Sequence, residues 1–103
     1  VTNPINIKTI RLENFLKEQN INKIDLLKID TEGYELKVIK GLGDSILKIN
    51  IIHLEHHFDD MILKNYKLGD IHDYLNSKNF VKIFKIKMKF RKSFEYIYKN
   101  LNF

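Results

Sequence analysis

The sequence predicts an α/β fold in which parallel strands are joined by crossover helices and a closing hairpin is antiparallel. Two short apolar runs carry the first part of this prediction, because polar and acidic residues follow each run and a helical stretch separates them. The second part rests on two C-terminal runs in which apolar and polar residues alternate with a period of two. A chain of 103 residues with these features is expected to form one small domain.

Composition narrows the class of protein further. With 44% hydrophobic and 12% aromatic residues the chain has enough apolar surface for a core, so disorder is not expected. The absence of cysteine excludes a disulfide framework or a thiolate metal site, and it favours a reducing, cytoplasmic compartment. No apolar run approaches the roughly 20 residues of a membrane span, so we expect a soluble protein.

The first predicted elements are an extended segment and a helix. Residues 1–9 include the single proline, Pro4, and then alternate apolar with polar residues, which predicts a short edge strand or an extended entry. Leu12, Phe15 and Leu16 recur at helical spacing. This spacing predicts a helix of two to three turns that ends near Asn20.

Residues 24–43 read as a strand, an acidic turn and a helix. The apolar run at residues 24–29 predicts a strand that is buried on both faces of a parallel sheet. The acidic turn, residues 30–33, follows at the end of the strand where ligands bind in open α/β sheets. Helical spacing begins at Tyr34, and Gly41 or Gly43 is expected to end the helix in a left-handed conformation.

A second buried strand is predicted at residues 49–54. A polar cluster follows it directly: Glu55, His56, His57, Phe58, Asp59 and Asp60. A strand, a helix and a second strand form a βαβ unit, whose crossover is nearly always right-handed. The two polar strand ends are therefore expected at one edge of the sheet.

The C-terminal part predicts a helix and a hairpin. Ile71, Tyr74 and Leu75 have helical spacing, and the polar residues 76–79 end that helix. Residues 80–90 then alternate apolar with basic side chains, which predicts a strand with a core face and a lysine-bearing solvated face. A second alternating run at residues 94–98 completes an antiparallel hairpin.

The acidic turn is the first candidate site. Asp30 and Glu32 lie two residues apart, so both carboxylates are placed to bind hydroxyl or ammonium groups, or one acts as a general base. A structural role competes with this hypothesis, because Asp30, Thr31 or Glu32 instead caps the following helix. Gly33 is expected to serve the backbone, either by relieving crowding or by adopting a positive φ.

The polar cluster after the second strand is the second candidate site. If the strand persists, His53, Glu55 and His57 project to one face and His56 to the other. Glu55 or His56 is the better candidate for hydrogen bonding or proton transfer to a substrate. The spacing of these residues matches no zinc signature, so no metal site is expected.

Charge is the weakest guide to a partner. The net charge of +5 is carried almost wholly by lysine, and the basic run after residue 80 includes Phe84 and Phe90. Such interleaving also occurs in platforms for single-stranded nucleic acid. The aromatic residues nevertheless alternate with the lysines, as a core face alternates with a solvated face, so a nucleic-acid partner is not expected.

Residues 28–35, KIDTEGYE, and residues 38–41, VIKG, resemble the C-terminal part of the FkbM-type S-adenosylmethionine-dependent methyltransferases. The order of elements from residue 8 to residue 99 agrees with this resemblance, which covers only about half of such a domain. The resemblance implies a Rossmann-like class I methyltransferase fold. The strand that ends at Asp30 would be its fourth, residues 49–55 its fifth, and the hairpin its sixth and seventh.

The resemblance also implies a function. The chain would be part of an S-adenosylmethionine-dependent enzyme that methylates a hydroxyl group on a small molecule or glycan. The residues in contact with the cofactor would be those of the acidic turn: Asp30, Thr31, Glu32 and Gly33. The catalytic residues would be Asp30, Glu55 and His56, and the resemblance leaves open which of them is the base.

Two departures from the family pattern limit this implication. Residues 11–13 read RLE where the family has Thr-Leu-Asp, and the chain has neither a glycine-rich loop nor the acid that binds ribose hydroxyls. Residues 1–103 are therefore expected to be a partial methyltransferase domain without the N-terminal cofactor-binding half. Alone it would bind S-adenosylmethionine poorly and be inactive. The alternative is a non-catalytic remnant or interaction module whose basic hairpin binds an anionic partner.

Overall fold

The computed structural model describes residues 12–31, 33–57, 68–87 and 93–103. In chain order these residues form α1 (Leu12–Glu18), β1 (Ile24–Ile29), α2 (Glu35–Lys40), a 3₁₀ helix (Gly43–Lys48), β2 (Ile49–His57), α3 (Leu68–Ser77), β3 (Phe80–Lys87) and β4 (Ser93–Asn100). The predicted N-terminal extended segment, residues 1–9, lies outside them. None of the helices in this part of the chain has the length and apolar character needed to cross a membrane.

The four strands form one mixed sheet in the order β1-β2-β4-β3. β1 and β2 are parallel, with Ile29 opposite Leu54, which confirms the predicted βαβ unit. β4 is antiparallel to both β2 and β3, which confirms the predicted hairpin. As a result β1, β2 and β3 end, and β4 begins, at the same edge of the sheet, which we call the rim.

One face of the sheet carries the core, and we call it the helix-covered face. Its central residues are Ile52, Leu54, Tyr96 and Tyr98, which are fully or almost fully buried. They pack in one cluster with apolar residues of α2, the turn after it, the 3₁₀ helix and α3: Ile39, Leu42, Ile46, Ile71 and Leu75. Because full burial of a large apolar side chain contributes about 1.5–3 kcal/mol, this cluster is the main source of stability.

α1 is attached to the turn after α2 through Glu13. The Glu13 N–H donates to the Gly41 carbonyl at 3.1 Å, and the Glu13 carboxylate accepts from the Asp44 N–H at 3.1 Å. Of the two glycines expected to end the helix in a left-handed conformation, Gly41 is the C-cap of α2 but has φ of −66°, whereas Gly43 has a positive φ of 53° but begins the 3₁₀ helix. A side chain at Gly43 would occupy the place of the Glu13 carboxylate.

The prediction that β1 is buried on both faces was wrong. Ile29 is buried, but Leu27 is only half-buried and Leu26 is 57% exposed. β1 is the edge strand of the described sheet, so β2 is its one neighbour there. An apolar run predicts burial on both faces of a strand only when both faces of the sheet are covered. Within the described residues, helices cover only one face of the sheet.

The prediction that the apolar residues of β3 face the core was also wrong. Phe84 and Ile86 are 54% and 42% exposed, and a register shift lies between Lys82 and Phe84. Pairing places these residues on the side of the sheet opposite the helices, in line with Ile97 of β4. This side, which we call the open face, has the following apolar members: Leu26, Ile51, Phe84, Ile86 and Ile97.

Tyr98 lies at the centre of the core. It is fully buried, and its hydroxyl has no hydrogen-bond partner among the described residues. Burial, reinforced by repulsion from Tyr96, raises the pKa of Tyr98 to about 12. The fold therefore holds this phenol in its neutral form well above the pH at which a free tyrosine ionises.

Replacing Tyr98 with Phe is expected to reduce the loss of stability at high pH. The unfolded chain releases the phenol proton near pH 10, whereas the folded chain holds it until pH about 12. Stability is thus lost as the pH rises through that window, and Y98F lacks this contribution. Urea midpoints measured across the window would show a shallower decline for Y98F, and an unchanged decline would contradict the assignment. Tyr34→Phe, at a 58% exposed position, is the matched control.

Candidate functional site

The rim brings both predicted polar strand ends together. β1 ends at Ile29, opposite Leu54 of β2, so Asp30 follows at the level of Glu55. Neighbouring strands lie about 4.8 Å apart. The topology therefore places Asp30 beside Glu55, as the sequence predicted.

Asp30 is exposed immediately beyond β1. Within the described residues its carboxylate makes no hydrogen bond and no ion pair. Its carboxylate is thus placed at the carboxyl end of a parallel strand, the position at which open α/β sheets bind ligands.

Helix capping does not account for Asp30 or Thr31. The residue that precedes α2 is Tyr34, which makes no side-chain capping hydrogen bond. The Thr31 hydroxyl oxygen is buried and has no hydrogen-bond partner among the described residues. Of the three candidate caps only Glu32 stays untested, since it lies outside the described residues. A buried hydroxyl with no partner costs free energy unless a further group satisfies it.

Glu35 holds the acidic turn in place, a role that the sequence analysis missed. The Gly33 N–H donates to a Glu35 carboxylate oxygen at 3.1 Å, and Glu35 is only 1% exposed. Gly33 has φ of 111°, so the expectation of a positive φ was correct. An acid in the first turn of a helix, two residues after a glycine, was the available signal, because such acids reach back to free N–H groups.

Glu55 and His56 are both buried at the end of β2, at 4% and 5% exposure. The strand persists through both residues, as the prediction required, so their side chains lie on opposite faces of the sheet. Glu55 shares the open face with His53, and His56 lies on the helix-covered face opposite Phe94. A ligand on one face of the sheet therefore meets only one of the two.

Glu55 is held by β4. One of its carboxylate oxygens accepts a hydrogen bond from the Ser93 hydroxyl at 3.0 Å. Glu55 also stands directly opposite Glu95, and like charges in such a pair repel each other. His53 lies beside this pair, with 3.4 Å between its Nε2 and the Glu95 carboxylate. Glu55 is thus fixed in position, whereas Asp30 is exposed.

The described ranges contain no group of three or more histidine, cysteine, aspartate or glutamate side chains arranged to hold a metal ion. The site consists of carboxylates, an imidazole and a buried hydroxyl. Such groups bind ligand hydroxyls and ammonium groups and accept protons.

A family model described as the methyltransferase FkbM domain matches residues 1–82 of the chain. Two curated relatives agree with it. Hexuronic acid methyltransferase AglP of Haloferax volcanii is 33% identical over 51 residues, which are 50% of this chain and 21% of the relative. 2-O-methyltransferase NoeI of Sinorhizobium fredii is 31% identical over 74 residues, which are 72% of this chain and 30% of the relative.

A solved structure shares the fold. TrmK of M. capricolum, in complex with S-adenosyl-homocysteine, superposes with a TM-score of 0.61 at 18% identity. The superposition covers 94% of this chain and 39% of that protein. The expectation of a methyltransferase-like α/β fold is thereby confirmed, and the chain spans well under half of the proteins it matches.

Replacing Gly33 with Ala is expected to destabilise the fold by roughly 1–2 kcal/mol, because a side chain is unfavourable at its positive φ. Gly69→Ala is the matched control, since Gly69 lies in α3 with open space around it and should gain roughly 0.4–1 kcal/mol. Urea unfolding measures both changes. Equal stability of G33A and the unaltered chain would show that the turn does not need this backbone conformation.

Proposed function

This chain belongs to the methyltransferase FkbM domain family, and from that premise we propose that its rim forms part of the active site of an S-adenosylmethionine-dependent O-methyltransferase. The observation that carries the proposal is the polar end of β1. Asp30 is exposed and the Thr31 hydroxyl is buried, and neither has a hydrogen-bond partner within the described residues. Both lie where parallel sheets bind ligands.

The residues of the acidic turn fit the polar parts of this cofactor. S-adenosylmethionine carries hydroxyl and ammonium groups, for which a carboxylate such as Asp30 is a suitable acceptor. A donor group on the ligand would satisfy the Thr31 oxygen. Gly33 allows the backbone of the turn to adopt a positive φ, and the Gly33 N–H donates a hydrogen bond to Glu35. Glu32 is proposed as a fourth contact on the basis of the family resemblance.

The chemistry divides between cofactor and protein. When bound, the cofactor supplies an electrophilic methyl group on a positively charged sulfur. The protein has to orient the acceptor oxygen and to take up the proton that this oxygen loses. His56 suits that second task, because an imidazole accepts protons near neutral pH and His56 lies at the rim. Glu55, which Ser93 holds on the open face, is proposed as the alternative base for an acceptor that binds on that face.

A sugar hydroxyl is the proposed acceptor. One curated relative is named for a hexuronic acid, which is a sugar acid, and another for 2-O-methylation, and both names fit a sugar hydroxyl as the acceptor. We further propose that residues 1–103 are a partial domain that lacks the N-terminal, glycine-rich half. The chain spans 21% and 30% of these relatives, which agrees with that proposal. Weak binding of the donor by the chain alone follows from it.

S-Adenosyl-homocysteine titrated into isotope-labelled chain tests the site directly. We expect amide shifts at Asp30, Thr31 and Gly33, even where the dissociation constant is in the millimolar range. Asp30→Asn keeps the shape and removes the charge, so it should weaken binding roughly tenfold or more, as loss of a charge-assisted hydrogen bond does. Activity with a labelled methyl donor is expected only when the missing half is supplied.

Asp25→Asn is the control for this experiment. Asp25 is also exposed, but it lies near the start of β1, at the end of the strand away from the rim. D25N should bind as the unaltered chain does. Shifts that spread evenly over the chain, or binding unchanged in D30N, would remove the donor from the end of β1 and favour a non-catalytic role.

A further inference from the structure

We propose that the hairpin side of the rim binds a carboxylate on the acceptor, so that the substrate is an acidic sugar. The proposed carboxylate site consists of Lys85 and Lys87 on β3, with Phe94 of β4 beneath them. This inference rests on the proposed function, because it takes the acceptor to be a sugar. It adds the charge of that sugar and the residues that recognise it.

The register of the paired strands places the residues of this site side by side. On the helix-covered face His56 of β2 stands opposite Phe94 of β4, and Phe94 stands opposite Lys87 of β3. One step further from the rim, Leu54, Tyr96 and Lys85 form a second row of the same kind. The proposed proton acceptor, an aromatic ring and a lysine therefore share one row on one face of the sheet.

The Lys85 ammonium is held in place by aromatic rings. Its Nζ lies 4.4 Å from the centre of the Phe94 ring and 5.9 Å from that of Tyr96. The two rings lie 6.1 Å apart and are tilted by 43°. Within the described residues Lys85 forms no ion pair with a carboxylate. A ring face attracts a cation without neutralising its charge, so this ammonium stays attractive to an incoming anion.

The local charge on this face of the hairpin is positive. β3 carries Lys82, Lys85 and Lys87, all exposed, and contains no acidic residue. The one acid of β4, Glu95, lies on the open face, and Phe94 and Tyr96 occupy the intervening positions on the helix-covered face. An anion is therefore attracted to the hairpin side of the rim, whereas Asp30 repels it from the β1 side.

The arrangement orients a substrate. Three strand spacings separate β1 from β3, which amounts to about 14 Å. A sugar whose carboxylate lies near Lys85 and Lys87 would place its remaining hydroxyls along the rim, between the lysines and the end of β1, because Leu54 and Tyr96 are buried further from the rim. His56 lies in that interval. Attraction at one side and repulsion at the other would make the opposite orientation unfavourable, which is how charge contributes to specificity.

Titration with D-glucuronate, D-glucose and inorganic phosphate tests the proposal on the labelled chain. We expect glucuronate to shift the signals of Lys85, Lys87 and Phe94 and to bind at least fivefold more tightly than glucose. K85Q/K87Q should reduce that preference to less than twofold. Added salt should weaken glucuronate binding, because the ion pairs are near the surface.

Lys23→Gln is the matched control. The Lys23 ammonium also lies over a phenylalanine, 5.2 Å from the centre of the Phe103 ring, but it precedes β1 and is thus at the end of the sheet away from the rim. K23Q removes one such charge and should leave glucuronate binding unchanged.

Three results would overturn the proposal. They are equal binding of glucose and glucuronate, an unchanged preference in K85Q/K87Q, and binding of phosphate as tight as that of glucuronate, which would indicate a simple anion site. Titration of S-adenosyl-homocysteine in the same samples keeps the two proposals apart. If glucuronate binds but S-adenosyl-homocysteine causes no shift at Asp30, methyl transfer is refuted. If S-adenosyl-homocysteine shifts Asp30 but glucuronate does not bind, only the acidic acceptor is refuted.

Discussion

The placement of β2 between a parallel and an antiparallel neighbour is the constraint on which the rest of this structure depends. Ile52 and Leu54 enter the core because β2 pairs with Leu27 and Ile29 on one side and with Tyr98 and Tyr96 on the other. The same register sends Glu55 to one face and His56 to the other. A slip by one residue would exchange every one of these positions, so the buried Ile52 and Leu54 also fix the positions of the polar side chains at the rim.

The site tolerates buried charge because each buried acid has a local donor. Glu35 accepts from the Gly33 N–H, and Glu55 accepts from the Ser93 hydroxyl. Burying a carboxylate without such donors would cost several kcal/mol. Thr31 is different, since its buried oxygen has no donor or acceptor in the described part of the chain. The rim thus combines fixed acids with groups left available to a ligand.

The periodicity of apolar residues predicted most of the helices and strands, but it did not predict which of their side chains are buried. The runs at β1 and β2, the spacing of α3 and the alternation of β4 identified those elements, because each pattern is local. The exposure of Leu26 and Phe84 was not predictable in this way, since it depends on what covers a face and the sequence pattern assumes a cover. The 3₁₀ helix was not predicted, because six residues carry too little periodicity.

The candidate site was predicted to a similar extent. The predicted strand topology was enough to place Asp30 and Glu55 at the same edge of the sheet. The alternation of side chains along a strand was enough to place Glu55 and His56 on opposite faces. The contacts between Glu55 and Ser93 and between His53 and Glu95 join residues about forty positions apart in the chain. They depend on a strand register that no local pattern specifies, which is why sequence reasoning did not find them.

The order of strands in the sheet also affects how the chain is made. β4 is the last of these strands in the sequence, yet it occupies an interior position between β2 and β3. Until it leaves the ribosome, β2 and β3 each present an edge with unpaired backbone groups, which is the kind of surface that chaperones shield and that other chains pair with. The stage at which this polypeptide is most prone to misassembly is therefore the one before β4 has entered the sheet.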